Sequence, residues 1–127
     1  MSTAVDVDAL AAELLAAHDQ ARLIPLPSER LPGLTLPQAY AAAGRVREQR
    51  IARGETPCGY KIGFTNRGIW PRYNVYAPIW APVWAGSLTL LDGPRARASL
   101  QGLVQPRLEP EIVFGLARTP QAGMSEA

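Results

Sequence analysis

The sequence predicts an α+β fold, two N-terminal helices followed by part of a strand-rich unit. Three observations carry this. Residues 6–20 and 35–54 repeat their apolar positions at helical spacing. Beyond Gly54 the pattern changes to short apolar runs broken by glycine and proline. Near the C-terminal end, Leu103–Gly115 reads as a strand although it carries two glutamates, Glu109 and Glu111. The boundary follows: 1–54 is a helical segment and 55–127 the start of a β-rich domain.

The first helix is expected from about Asp6 to Gln20. Asp6 or Asp8 can cap it, and Leu10, Leu14 and Leu15 with the alanines form one apolar stripe. A proline-rich stretch follows, from Ile24 to Gly33, with leucines alternating with prolines; it reads as an ordered loop lying on the core. Thr35-Leu36-Pro37-Gln38 fits a capping box with proline in the first turn. The second helix then places Ala39, Ala43 and Val46 on one face and Arg45, Arg47, Arg50 and Arg53 on the other, and Gly54 closes it. With Glu48 among them, the arginines read as a solvated face, not as a nucleic-acid site.

Cys58–Phe64 reads as a short strand with Lys61 in its middle. An aromatic loop follows, with Trp70, Tyr73, Tyr76, Trp80 and Trp84 among turn formers; its tryptophans fill a core or line a pocket. Ser87–Leu91 is expected as another strand, ended by Asp92-Gly93-Pro94. Ser125-Glu126-Ala127 has the form of a helix N-terminus.

The net charge of +2 is too small to argue for nucleic acid or a membrane surface. One cysteine excludes an internal disulfide, and Cys58 is expected as a small buried residue. With His18 the only histidine, at a helix end, zinc ligation and Cys-His or Ser-His-Asp catalysis lack their parts. No apolar run is long enough to span a bilayer and no signal peptide is recognisable, so a cytoplasmic protein is the default expectation.

The chemistry concentrates in two places. In a strand, Glu109 and Glu111 would point to one face, roughly 6–7 Å apart, and like charges that close need a cation. Arg107, on the same face, offers one answer, an ion pair with Glu109 that leaves Glu111 in solvent. The other answer is a divalent cation held by both carboxylates; all-oxygen ligation favours Mg or Mn. Lys61, in an apolar strand, must pair or shift its pKa downward, and a shifted lysine serves as a general acid or base. The alternative is a structural partner for a glutamate.

Three segments together resemble a known family. They are Gly59-Tyr60-Lys61-Ile62-Gly63-Phe64-Thr65, then Pro78-Ile79-Trp80-Ala81-Pro82-Val83-Trp84, then Gln105-Pro106-Arg107-Leu108-Glu109-Pro110-Glu111-Ile112-Val113-Phe114. From about residue 35 onward the chain is similar to the 2-keto-4-pentenoate hydratase group of the fumarylacetoacetate hydrolase superfamily, with the oxalocrotonate decarboxylases as close relatives. The resemblance implies a mixed, twisted β-fold around a Mg or Mn site that binds a short 2-keto acid. It implies Glu109 and Glu111 as metal ligands and Lys61 as the acid/base group. More loosely, it implies Phe64 and Trp80 as substrate-binding residues. The activity implied is that of a lyase adding water to a 2-hydroxy-dienoate in aromatic-compound catabolism, with a homo-oligomer expected.

Two departures stand beside the resemblance. The relatives are longer and carry a third metal-binding glutamate beyond residue 127, so the chain reads as an N-terminal part that alone would turn over little. The relatives also often carry an aspartate after the lysine strand, where this chain has Val75-Tyr76-Ala77-Pro78. A related decarboxylase, a C–C bond hydrolase, or a non-catalytic fragment acting as an interaction module are the alternatives.

Overall fold

A computed structural model describes residues 5–125. Its helices follow the caps written in the sequence. α1 spans Val7–Asp19, with the Asp6 carboxylate accepting from the Ala9 N–H at 2.9 Å. α2 is a single turn, Pro27–Arg30, inside the proline-rich stretch that reads as a loop. α3 spans Leu36–Ala52. The Thr35 side chain accepts from the Gln38 N–H, and the Gln38 side chain accepts from the Thr35 N–H at 2.9 Å, which completes the capping box. Gly54, just past the helix, takes φ +95°, a left-handed value that glycine adopts without steric cost.

α1 and α3 pack together around Leu10, Ala11 and Ala42, with Val7, Leu14, Leu31, Leu34 and Val46 against them. Ala42, not Ala43, is the small residue on the packed face, and Ala43 is exposed. Val46 packs as expected, and the spacing back from it is satisfied by either alanine, Ala42 or Ala43.

The sheet has two antiparallel strands, β1 (Pro57–Gly63) and β2 (Ile79–Trp84). β1 is the expected lysine strand. β2 runs through what reads as an aromatic loop, hidden by Pro78 and Pro82; Pro82 sits opposite Tyr60. Between the strands, a 3₁₀ turn, Arg67–Ile69, leads into a one-turn helix, α4 (Trp70–Tyr73), which Asn74 ends at φ +51°.

Strand alternation sorts the sheet into two functions. On one face Trp80 stacks on Tyr40 of α3, ring centroids 5.3 Å apart, and the Arg50 guanidinium lies 4.1 Å over the buried Trp84 ring. That face fastens the sheet to the helices. The other face carries Lys61 opposite Ala81 and faces away from α3.

Two expected strands do not form. Residues 88–91 have no regular secondary structure after a 3₁₀ turn at Ala85–Ser87, and neither do residues 103–115. A strand, unlike a helix, needs a neighbour to satisfy its backbone, and among the described residues no strand pairs with these segments. Pro106 and Pro110 also lack the N–H that a ladder uses. The expected burial fails for the same reason, with Leu108 93% and Ile112 83% exposed. Cys58, expected inside, is exposed. The helix start expected at Ser125-Glu126-Ala127 lies largely outside the described residues.

Candidate metal and keto-acid site

Lys61 stands at the centre of β1, where antiparallel pairing with β2 fixes its direction. The segment 108–111 passes in front of it without forming a strand, yet both glutamates reach the same ammonium. Lys61 Nζ lies 3.2 Å from a Glu109 carboxylate oxygen and donates a short hydrogen bond to Glu111. The convergence expected from strand geometry is therefore present on an irregular backbone. The cation that answers the glutamate pair is Lys61, and Arg107 is not their partner.

Of the two expectations for Lys61, pairing or a lowered pKa, the electrostatics select pairing. Lys61 does not lose its proton more easily. The hydrogen bond to Glu111, then that to Glu109, hold its pKa above the ordinary lysine value. Its side chain is 49% exposed, so desolvation is the weaker influence.

An open hollow forms around these groups, lined by Lys61, Phe64, Ile79, Leu108, Glu109 and Glu111 among others. Its lining combines the ammonium and two carboxylates with apolar residues. Phe64 is thus brought to Lys61. Trp80 is not: it pairs with Ile62, one step out of phase with Lys61, and points to the sheet face covered by Tyr40. Its stack on Tyr40 and its edge contact with Tyr60, 5.5 Å between centroids, give it a packing role on that face.

The donor set suits a hard divalent cation. Two carboxylates that converge on a single ammonium nitrogen can converge equally on one metal ion, through oxygen alone. Among the described residues no third His, Cys, Asp or Glu joins them.

Two features escaped the sequence reading. Phe64 takes φ +58°, unusual for a bulky residue, and its carbonyl accepts the Trp70 indole N–H at 2.8 Å. The arginine face of α3 is also more than solvated. Arg53 pairs with Asp19 of α1 and with Glu55, and Arg50 pairs with Glu55 beneath Trp84. These partners lie far away in sequence or across a turn, where spacing on one helix gives no signal.

An α+β chain that presents one lysine and two glutamates to an open hollow is similar, over part of their length, to several known enzymes. It is 32% identical over 108 residues to 2-hydroxyhexa-2,4-dienoate hydratase of Comamonas testosteroni, covering 85% of this chain and 40% of that protein. It is 28% identical over 112 residues to 2-hydroxypent-2,4-dienoate hydratase of Pseudomonas putida, covering 88% of this chain and 50% of the relative. Its structure matches 4-oxalocrotonate decarboxylase from Pseudomonas putida G7, complexed with magnesium and adipate, at a TM-score of 0.61 and 26% identity. That match covers 66% of this chain and 33% of the other. No protein-family model matches. The resemblance read from the sequence is thus shown: the chain is similar to part of the 2-keto-4-pentenoate hydratase and oxalocrotonate decarboxylase group. It spans about 40–50% of the length of the curated relatives it matches.

Proposed function

We propose that this chain supplies the lysine and two of the carboxylates of a divalent-metal lyase centre that adds water to a 2-hydroxy-dienoate or 2-keto-enoic acid. The observation that carries this reading is the meeting of Glu109 and Glu111 at Lys61 in an open hollow lined by both polar and apolar residues. The hydratase relatives support the reaction, and magnesium in the decarboxylase neighbour supports a divalent cation; Mn is its natural substitute in an oxygen-only site.

In this reading Glu109 and Glu111 would hold the cation, which supplies Lewis-acid stabilisation of the charge that builds on the 2-oxo oxygen. Phe64, Ile79 and Leu108, apolar residues of the same hollow, would face the hydrocarbon part of the acid. Lys61 Nζ delivers a proton to the terminal carbon as the enol becomes the keto acid, and the enol hydroxyl proton restores the ammonium. The water oxygen then adds to the remaining double bond, Lys61 protonates the carbon next to the 2-oxo group, and the proton lost by the water returns to Lys61. A homo-oligomer would cover the apolar side chains of residues 108–116.

A second reading, decarboxylation, is favoured by the structural neighbour and by Val75–Pro78, which offers Lys61 no acidic partner. One assay separates them: loss of the dienoate chromophore, and release of CO₂ from 4-oxalocrotonate, each with Mn²⁺. Hydration is expected, at a low rate in the 127-residue chain, which supplies only two of the carboxylates. Lys61→Ala should lower kcat by about 10²–10⁴-fold, the usual worth of a general acid/base, while Mn²⁺ still binds. Unchanged turnover in Lys61→Ala would remove the proposal, and CO₂ release without hydration would favour the decarboxylase.

A further inference from the structure

Phe64 lies three residues after Lys61. In a strand that simply continued, positions 61 and 64 would point to opposite faces, and the Phe64 ring would turn away from the hollow. Phe64 is among the residues that line the hollow, and the backbone breaks alternation there, at φ +58°. A phenylalanine holds a left-handed conformation only where its surroundings impose it.

Those surroundings are a short lasso. Asn66 accepts from the Gly68 N–H at 2.9 Å and opens the 3₁₀ turn, which runs into α4. The lasso returns Trp70 to Phe64, where the indole N–H donates to the Phe64 carbonyl at 2.8 Å in a part-buried contact. Tyr73, one turn on, packs its ring edge-on to Phe64, 5.6 Å between centroids. One hydrogen bond fixes the carbonyl and one aromatic contact fixes the ring.

We propose that Trp70 is a positioning residue: its indole N–H holds Phe64 in the left-handed turn that makes the Phe64 ring a wall of the Lys61 hollow. The choice of an acid with an apolar chain as the ligand facing that wall rests on the proposed function; the turn itself does not. Trp70 touches neither the carboxylates nor Lys61, and acts only through Phe64.

The test uses the whole 127-residue chain. In the wild type, NMR should show the Trp70 indole proton exchanging at least about tenfold more slowly than that of free tryptophan. Phe64 should show the strong intraresidue HN–Hα Overhauser effect of positive φ. Trp70→Phe keeps an aromatic ring and deletes the donor, and that effect should disappear. Adipate binding in the presence of Mn²⁺ should then weaken about tenfold, with Mn²⁺ affinity alone unchanged within about twofold. Phe64→Ala should weaken adipate similarly, and the double variant no further. A rapidly exchanging indole proton in the wild type, or a Phe64 still left-handed in Trp70→Phe, would overturn the assignment. A chain that binds no Mn²⁺ would remove the metal reading, while the two NMR measurements still decide the role of Trp70.

Discussion

Lys61 is asked to do two things that pull against each other. As an ammonium it neutralises Glu109 and Glu111, and their hydrogen bonds strengthen its hold on the proton. As ligands for a divalent cation the same carboxylates must give up part of that contact. Lys61 and a metal ion therefore compete for one pair of carboxylates. Lys61→Met, which keeps most of the stem and removes the charge, is expected to tighten Mn²⁺ binding by about three- to tenfold, measured by paramagnetic resonance titration. Unchanged or weaker binding would show that the ammonium does not oppose the metal. Lys61, Glu109 and Glu111 were legible in the sequence because each is a charge in an apolar run, and such a charge requires a partner. The choice of Lys61 over Arg107 was not legible, because it depends on which segment crosses β1. The left-handed Phe64 was hidden as well, since no glycine or asparagine marks that turn.

Among the elements, helices were read well and strands less so, for a physical reason. Caps at Asp6 and Thr35 act on backbone groups within three residues, so their evidence is local. β2 is defined by its pairing with β1, and its prolines disguise it. The arginine face of α3 likewise became interpretable only with its distant partners in place. Glu55 links Arg50 and Arg53, and the hydrogen bond from Arg50, then that from Arg53, draw its pKa from 4.5 down to about 2. A carboxylate whose pKa falls on folding stabilises the fold fully above its unfolded value. That contribution is lost as pH drops through the folded value. The urea midpoint should therefore decline between about pH 4.5 and pH 2, with Asp19, also lowered by its hydrogen bond to Arg53, adding to the slope. Glu55→Gln should start lower at pH 7 and flatten the decline. An identical slope in the variant would mean that the latch does not couple α3 to the sheet.

At the scale of the whole molecule, order is unevenly distributed. Among the described residues the buried apolar residues are few, and they belong to α1, α3 and the end of β2. From residue 88 to 125 the chain has no helix or strand and exposes Leu90, Leu108, Ile112, Val113 and Phe114. Such backbone is held by few contacts and opens easily. Limited trypsin should cut after Arg95, Arg97, Arg107 and Arg118 well before Arg45 or Arg50 within α3; cleavage in α3 at an equal rate would contradict this division. The helical half of the α+β reading was visible in the sequence through periodicity. The strand half was only partly visible, because residues 103–115 pair with no strand among the described residues.

The most direct test of the site is a Mn²⁺ titration of the 127-residue chain followed by paramagnetic resonance, with Glu109→Gln and Glu111→Gln alongside. One saturable ion per chain is expected, with a Kd of roughly 10⁻⁴–10⁻³ M for so few charged ligands, and saturable binding should disappear in both variants. Binding that survives both substitutions, or a wild-type chain that takes up no ion at millimolar Mn²⁺, would contradict the assignment of Glu109 and Glu111 as a metal-binding pair.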